Sequence, residues 1–254
     1  MIEILLITAH PDDEIIWFGS TLYQLTKFKN ININVICLWS LLEKPGSMAA
    51  ISEGYKDTDR KEQFYNVCKF MNFSKYYLIF NNKNQLIENY NYDYIYQGFI
   101  DAFNILKLNE LNKIHLIITH SYYGDEKKHP GHITTHKFSK QYSKENNIPF
   151  SYFSTLQIPN INHNPLLNNY YRKNGLHLLN LAKCNDNLYY VQFQGNLNKK
   201  LRALKLYKAV DFIMHYKHYM SLTLITEGLY FEYNALEIIN DIISNMTLIT
   251  NNIF

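Results

Sequence analysis

The sequence predicts an α/β fold with a mostly parallel central sheet and a site at the carboxyl-terminal tips of its strands. Three observations carry that prediction. Short apolar runs, among them Ile2-Glu3-Ile4-Leu5-Leu6-Ile7, Ile33 to Trp39 and Ile114 to Thr119, read as strands buried on both faces. Segments with apolar residues at helical spacing alternate with them, as strand–helix–strand crossovers require. The first run stops at Ala9-His10-Pro11-Asp12-Asp13-Glu14, and the run ending at Thr119 stops at His120. In an open α/β sheet the loops leaving the strand tips form the ligand crevice, so polar clusters at those tips mark the place to look for chemistry.

Taken in order, the first strand feeds the acidic loop, and Glu14 to Phe28 follows as a helix with Ile15, Phe18, Leu22 and Leu25 on one face. Ile33 to Trp39 is the second strand, parallel to the first through a right-handed connection. Pro45, Gly46 and Gly54 break the pattern, so residues 40–58 are expected to form a long loop, a length that in compact domains tends to serve function. Asp57 to Phe73 returns to helical spacing with Phe64, Val67, Cys68 and Met71, and Tyr76 to Phe80 is the third strand. The patch Asn81-Asn82-Lys83-Asn84 lies at its tip. Tyr94 to Leu108 reads as a helix and Ile114 to Thr119 as the fourth strand. After the polar loop Ser121 to Lys128, Pro130 sits in the first turn of a helix running through Thr134 and His136 to Tyr142, where its missing N–H costs nothing. Phe150 to Leu156 and Leu188 to Phe193 are further strands, residues 160–169 a loop, and Leu197 to Tyr216 a lysine-rich helix. No repeat, linker or boundary interrupts this order, so a single domain over residues 1–254 is expected.

Composition narrows the function. A chain of 254 residues with 47% hydrophobic content can bury a large core. Its formal charge of +3 is spread without a basic stripe, which argues against a nucleic-acid partner. Cys37, Cys68 and Cys184 are widely separated and odd in number, which suits buried thiols in a reducing compartment better than a disulfide framework or a CxxC metal site. No uncharged apolar stretch reaches the ~18 residues needed to span a bilayer, and the first strand starts at Ile2, so the expectation is a cytoplasmic protein with no membrane span.

Two neighbouring carboxylates and an imidazole are costly to bury together unless a cation joins them, and a divalent metal meets that need. His10 and Asp13 converge from one turn, and His132 at a second helix start supplies a third donor. Two imidazoles, one carboxylate and an open position describe a hydrolytic zinc site. His132 and His136, four residues apart on one helical face, are an alternative pair of donors. The same donor types hold Fe(II) in non-haem iron oxygenases, although such triads usually ride on jelly-roll strands. Asp12 is either a base beside the metal or the cap of the first helix, and Glu14 suits an acid favoured by the helix dipole.

His10-Pro11-Asp12-Asp13-Glu14 after an amino-terminal strand, together with His129-Pro130-Gly131-His132, resembles the PIG-L/LmbE-like zinc-dependent de-N-acetylases, which remove acetyl groups from N-acetylglucosamine units. The resemblance implies a Rossmann-like three-layer sandwich, Zn2+ on His10, Asp13 and His132, Asp12 as general base, and His129 near the reacting group, with His136 structural. It also implies a small-molecule or glycan substrate bearing an N-acetylated amino sugar. Arg60-Lys61-Glu62-Gln63 is similar to the family's Arg-x-x-Glu stretch, whose arginine faces the substrate, with Gln63 in place of the acid. Lys200 to Tyr207 resembles the family's carboxyl-terminal lysine-rich helix. Two departures stand out. Gly131 replaces an Asp or Asn that orients the catalytic histidine, and Gly124-Asp125-Glu126-Lys127-Lys128 replaces an aromatic–glycine pair, leaving Asp125 or Glu126 as substitutes for the orienting acid. Gly131 therefore keeps a second reading open, a sugar-binding protein of the same fold without turnover.

Overall fold

A computed structural model of the chain describes residues 1–39, 57–79, 91–110, 113–122, 124, 128–153, 177–183, 187–194, 196–207 and 227–251. Strand β1, Ile2–Thr8, sets the layering because its side chains alternate between two cores. Ile4 and Leu6 enter one cluster, with residues from helices α1 (Asp13–Ile16), α2 (Gly19–Leu25), α3 (Asp57–Phe70), α6 (Leu197–Leu206) and α7 (Leu236–Asn251). Leu5 and Ile7 enter the other, with Phe99 of α4 (Tyr92–Ile105) and Phe138 and Tyr142 of α5 (Pro130–Glu145). The result is the expected three-layer sandwich.

The sheet has eight strands among the described residues. Beside β1 run β2 (Ile31–Cys37), β3 (Lys75–Leu78), β4 (Leu116–Thr119) and β5 (Phe150–Phe153), and every pairing within this set is parallel. The remaining strands, β6 (His177–Lys183), β7 (Leu188–Gln194) and β8 (Glu227–Glu232), extend the sheet with antiparallel pairs. Across the sheet the order is β3-β2-β1-β4-β5-β8-β7-β6. The chain thus winds outward in one direction from β1 to β3 and in the other from β4 to β5. The crevice between the tips of β1 and β4 is the point where strand order reverses, the natural ligand site of such sheets.

Most elements lie within a few residues of the predicted ones. Strands β6 and β8 and helix α7 were not predicted, and the predicted helix from Glu14 to Phe28 is two short helices broken at Trp17 and Phe18. Phe18 leaves helical geometry (φ −144°, ψ 14°), and the start of α2 is held by a carboxylate from β8: Ser20 N–H and Thr21 N–H donate to Glu227 at 3.0 and 2.7 Å. The polar patch at residues 81–84, the loops at 40–56 and 160–169, Asp125, Glu126, Cys184 and residues 208–216 lie outside the described residues. Cys37 and Cys68 are buried free thiols, as expected. No helix of the described residues is long and apolar enough to cross a membrane.

Candidate metal centre

The histidines and Asp13 of the two predicted motifs come together at the β1–β4 crevice. His10 and Asp13 leave β1; His129 and His132 open α5, which follows β4. A tight turn delivers the second motif. Gly124 N–H donates to the Ser121 carbonyl at 2.9 Å, Gly124 has φ +74°, and a Cβ there would stand 3.2 Å from the His129 carbonyl oxygen, so glycine serves both the backbone sign and the space.

The donor atoms are close. His10 Nδ1 lies 3.2 Å from His132 Nε2 and 3.3 Å from Asp13 Oδ2, and His132 Nε2 lies 3.2 Å from Asp13 Oδ1. A tetrahedral zinc with bonds of about 2.0–2.1 Å has donor–donor edges of about 3.3 Å, so the spacing of these residues suits a divalent cation, with one Asp13 oxygen facing each imidazole. Asp13 is also anchored from outside the cluster, accepting the His10 backbone N–H at 2.7 Å and the Trp17 indole N–H at 3.3 Å. Burial alone would push its carboxyl up, but the neighbouring His132 and His120 and the bond from His10 pull it well below the usual carboxylate range. Asp13 is held as an anion.

His120 is the member that sequence reasoning did not assign. It is fully buried, its ring stacks on His132 at 4.2 Å and 8°, its Nε2 takes the Ala9 N–H at 3.0 Å, and the same nitrogen lies 3.3 Å from Asp13 Oδ2. Burial and the neighbouring His132 lower its pKa to about 4, so it stays neutral at pH 7. Among the described residues two sets of three donors gather, His10 with His129 and His132, and Asp13 with His120 and His132, and the predicted trio of His10, Asp13 and His132 draws on both. His132 belongs to both. The signal for His120 was present in the sequence, since it follows the β4 run as the His10 motif follows β1. His136 is elsewhere: its Nδ1 pairs with the His120 carbonyl at 2.8 Å, and burial drives its pKa to about 4. It is a prop for the β4 tip.

Asp12 occupies the N-cap position of α1, yet its side chain makes no capping bond. Its carboxylate instead lies 3.3 Å from Arg60 Nη2, which also donates to the Pro11 carbonyl at 2.9 Å. Arg60 of α3 is therefore bound to the loop that carries Asp12. His129 is oriented by the backbone, its Nδ1 accepting the Gly131 N–H at 3.1 Å, which leaves the proton on Nε2. Gly131 makes room as well: a Cβ there would stand 2.9 Å from the His10 ring. Glu14 sits in the first turn of α1, the helix-start acid predicted for it, and its surroundings add what the sequence did not show. It is fully buried, accepts the Asp12 N–H at 3.1 Å and the Tyr207 hydroxyl, and burial pushes its carboxyl up to about 8.

A family model described as PIG-L, GlcNAc-PI de-N-acetylase, matches residues 5–143, more than half of the chain and both histidine motifs. The chain belongs to that family. Among solved structures, this PIG-L family member shares its fold with the A40926 pseudoaglycone deacetylase (TM-score 0.58, 15% identity, 91% of this chain and 97% of that one). It is similarly matched by a zinc-inhibited form of teicoplanin deacetylase (TM-score 0.55, 13% identity, 91% and 97% of the two chains). The N,N'-diacetylchitobiose deacetylase of Pyrococcus horikoshii is a third (TM-score 0.53, 14% identity, 92% and 85%). A comparison with curated protein sequences finds no match.

Proposed function

We propose that this PIG-L family member is a zinc-dependent hydrolase that removes the acetyl group from an N-acetylglucosamine-type sugar, a small molecule or a glycan, with residues 1–254 acting as one domain. The observation that carries the reading is the convergence of His10, Asp13 and His132, with nitrogen–nitrogen and nitrogen–oxygen distances of 3.2–3.3 Å, next in sequence to a second carboxylate, Asp12, that is tied to Arg60. Family membership supports the amide-hydrolysing class. The donor chemistry, imidazole nitrogen and carboxylate oxygen, supports zinc, and a parallel α/β sheet favours hydrolysis over the oxygenase chemistry of jelly-roll triads.

His10, Asp13 and His132 are the residues that would hold the ion. When bound there, a divalent cation supplies Lewis acidity, which makes water a competent nucleophile near neutral pH. Asp12 accepts the proton of the attacking water, and Arg60 keeps that carboxylate aimed while facing the sugar. His129, whose Nδ1 is occupied by the Gly131 N–H, has its Nε2–H to bond the developing oxyanion, and the proton that Asp12 accepted passes to the leaving nitrogen. The C–N bond breaks, giving acetate and a free amine. Since the Gly131 N–H already orients His129, the missing acid of the motif is no reason to expect a protein that only binds sugar.

The deciding experiment is Asp12→Asn, assayed by amine release over a panel of N-acetylated hexosamines with zinc content measured in parallel. The amide keeps the shape of the loop, so zinc should stay while kcat falls by about 10²- to 10⁴-fold and KM changes little. Parental turnover with zinc bound would overturn Asp12 as the base. His10→Ala and Asp13→Ala should each lose the metal, and full zinc retention in both would overturn the ligand assignment.

A further inference from the structure

Asp12 has an unusual backbone. At φ 118° and ψ −26° it lies in the left-handed half of conformational space, which residues with a Cβ rarely adopt. That choice of φ decides where its Cβ points, hence where its carboxylate stands relative to the metal donors. Three sets of bonds hold the conformation. The Asp12 carbonyl accepts Ile15 N–H and Ile16 N–H at 2.9 Å each, Arg60 Nη2 holds the Pro11 carbonyl at 2.9 Å, and the Asp12 N–H donates to Glu14 Oε2 at 3.1 Å. The first two secure the carbonyls. The third is the one on the amide, and its acceptor comes from a side chain that must fold back over its own loop.

Glu14 is fully buried, so water cannot fix its orientation. Its other oxygen, Oε1, takes the hydroxyl proton of Tyr207, a residue buried to 3% exposure at the C-cap of α6. We propose that Tyr207 is a positioning residue for the catalytic aspartate, acting through Glu14 to hold the Asp12 amide and with it the direction of the Asp12 carboxylate. The proposal rests on the reading of Asp12 as the base. Its physical content is that a hydroxyl from α6, outside the family-matched residues 5–143, aligns a group in the amino-terminal motif 193 positions away. Tyr207 is not one of the donors and acts through Glu14, so it is a positioning residue and not a catalytic one.

The test is Tyr207→Phe, which removes one oxygen and keeps the ring in the core, beside Leu204→Ala, which removes core packing from the same helix without touching Glu14. Exchange of the Asp12 amide is read by NMR in the zinc-free protein, and kinetics are read with N-acetylglucosamine as probe. In Tyr207→Phe, kcat should fall by about 10- to 100-fold with KM and zinc content at parental levels, because misplacement of the base by a fraction of an ångström acts on turnover. The Asp12 amide should exchange about tenfold faster or more, as a buried bond lost locally allows. Leu204→Ala should lower the melting temperature while leaving kcat and that exchange rate unchanged. The proposal is overturned if Tyr207→Phe keeps both parental values, or if Leu204→Ala accelerates the Asp12 amide to the same degree. Should the parent release no amine from any N-acetylated sugar, the deacetylase reading fails, and the exchange rate in Tyr207→Phe still decides whether Tyr207 positions Asp12.

Discussion

Gly131 shows how a single residue changes meaning once its neighbours are known. In the motif it looks like the loss of an orienting acid; in the fold it is the space into which the His10 ring packs, and its N–H orients His129. Gly131→Asp should therefore not restore the motif. A Cβ at 2.9 Å displaces His10, and zinc affinity measured by chelator competition should weaken by about tenfold or more, as perturbing the surroundings of a ligand does. Unchanged or tighter binding would contradict the packing argument. His136 makes a pH-dependent contribution of a different kind. Burial lowers its pKa from 6.5 to about 4, so as pH falls the unfolded chain binds the proton first. The associated stability is complete above pH 6.5 and is lost progressively down to about pH 4. His136→Asn keeps a donor for the His120 carbonyl and removes the titration, so the drop in melting temperature of zinc-free protein between pH 7 and about pH 4.5 should be smaller than in the parent. An equal drop would place the titration elsewhere.

At the scale of elements, the break between α1 and α2 is the clearest case of tertiary structure overriding a helical pattern. Ile15, Phe18, Leu22 and Leu25 all reach the core, as one amphipathic helix would place them. Three bonds to carboxylates still divide it, since the distant Glu227 takes the Ser20 and Thr21 N–H groups of α2 and the local Asp13 holds the Trp17 indole. Glu227 is in turn paired with Lys200 Nζ at 2.8 Å, and both side chains are 1% exposed. This pair joins α2, α6 and β8, including the helix that carries Tyr207. Removing one partner leaves a buried charge uncompensated, so Lys200→Met should cost ~3–5 kcal/mol in urea unfolding. A loss below about 1 kcal/mol, the range of an exposed pair, would show that the pair is not a tie between elements.

For the whole molecule, the metal and the fold should be linked. The donors come from two crossovers on either side of the β1–β4 switch point, so an ion that binds only the native state adds stability by mass action, about 2.7 kcal/mol at a hundredfold excess over Kd. For a chain of this size that is a rise of roughly 5–10 °C in melting temperature, which chelation should abolish. His132→Ala should melt at the same temperature with and without chelator, because His132 is shared by both donor sets. A chelator effect that persists in that variant would put the ion at another site.

The sequence by itself determined the alternation of strands and helices, the parallel half of the sheet and the two motifs at strand tips, because apolar runs and helical spacing are local patterns and a tip cluster follows its own strand directly. It also named His10, Asp13, His129 and His132, which the fold gathers in one crevice, and Asp12, whose carboxylate lies against Arg60. It did not supply the antiparallel strands β6 and β8, the division of the first helix, the part played by His120, or the burial of Glu14. Each of those depends on a partner far along the chain. His120 meets Ala9, Glu14 meets Tyr207, and the start of α2 meets Glu227 at separations of 111, 193 and 206–207 residues. Propensity and periodicity act over a few turns, whereas a buried carboxylate or imidazole takes its role from whatever donor the completed fold sets against it.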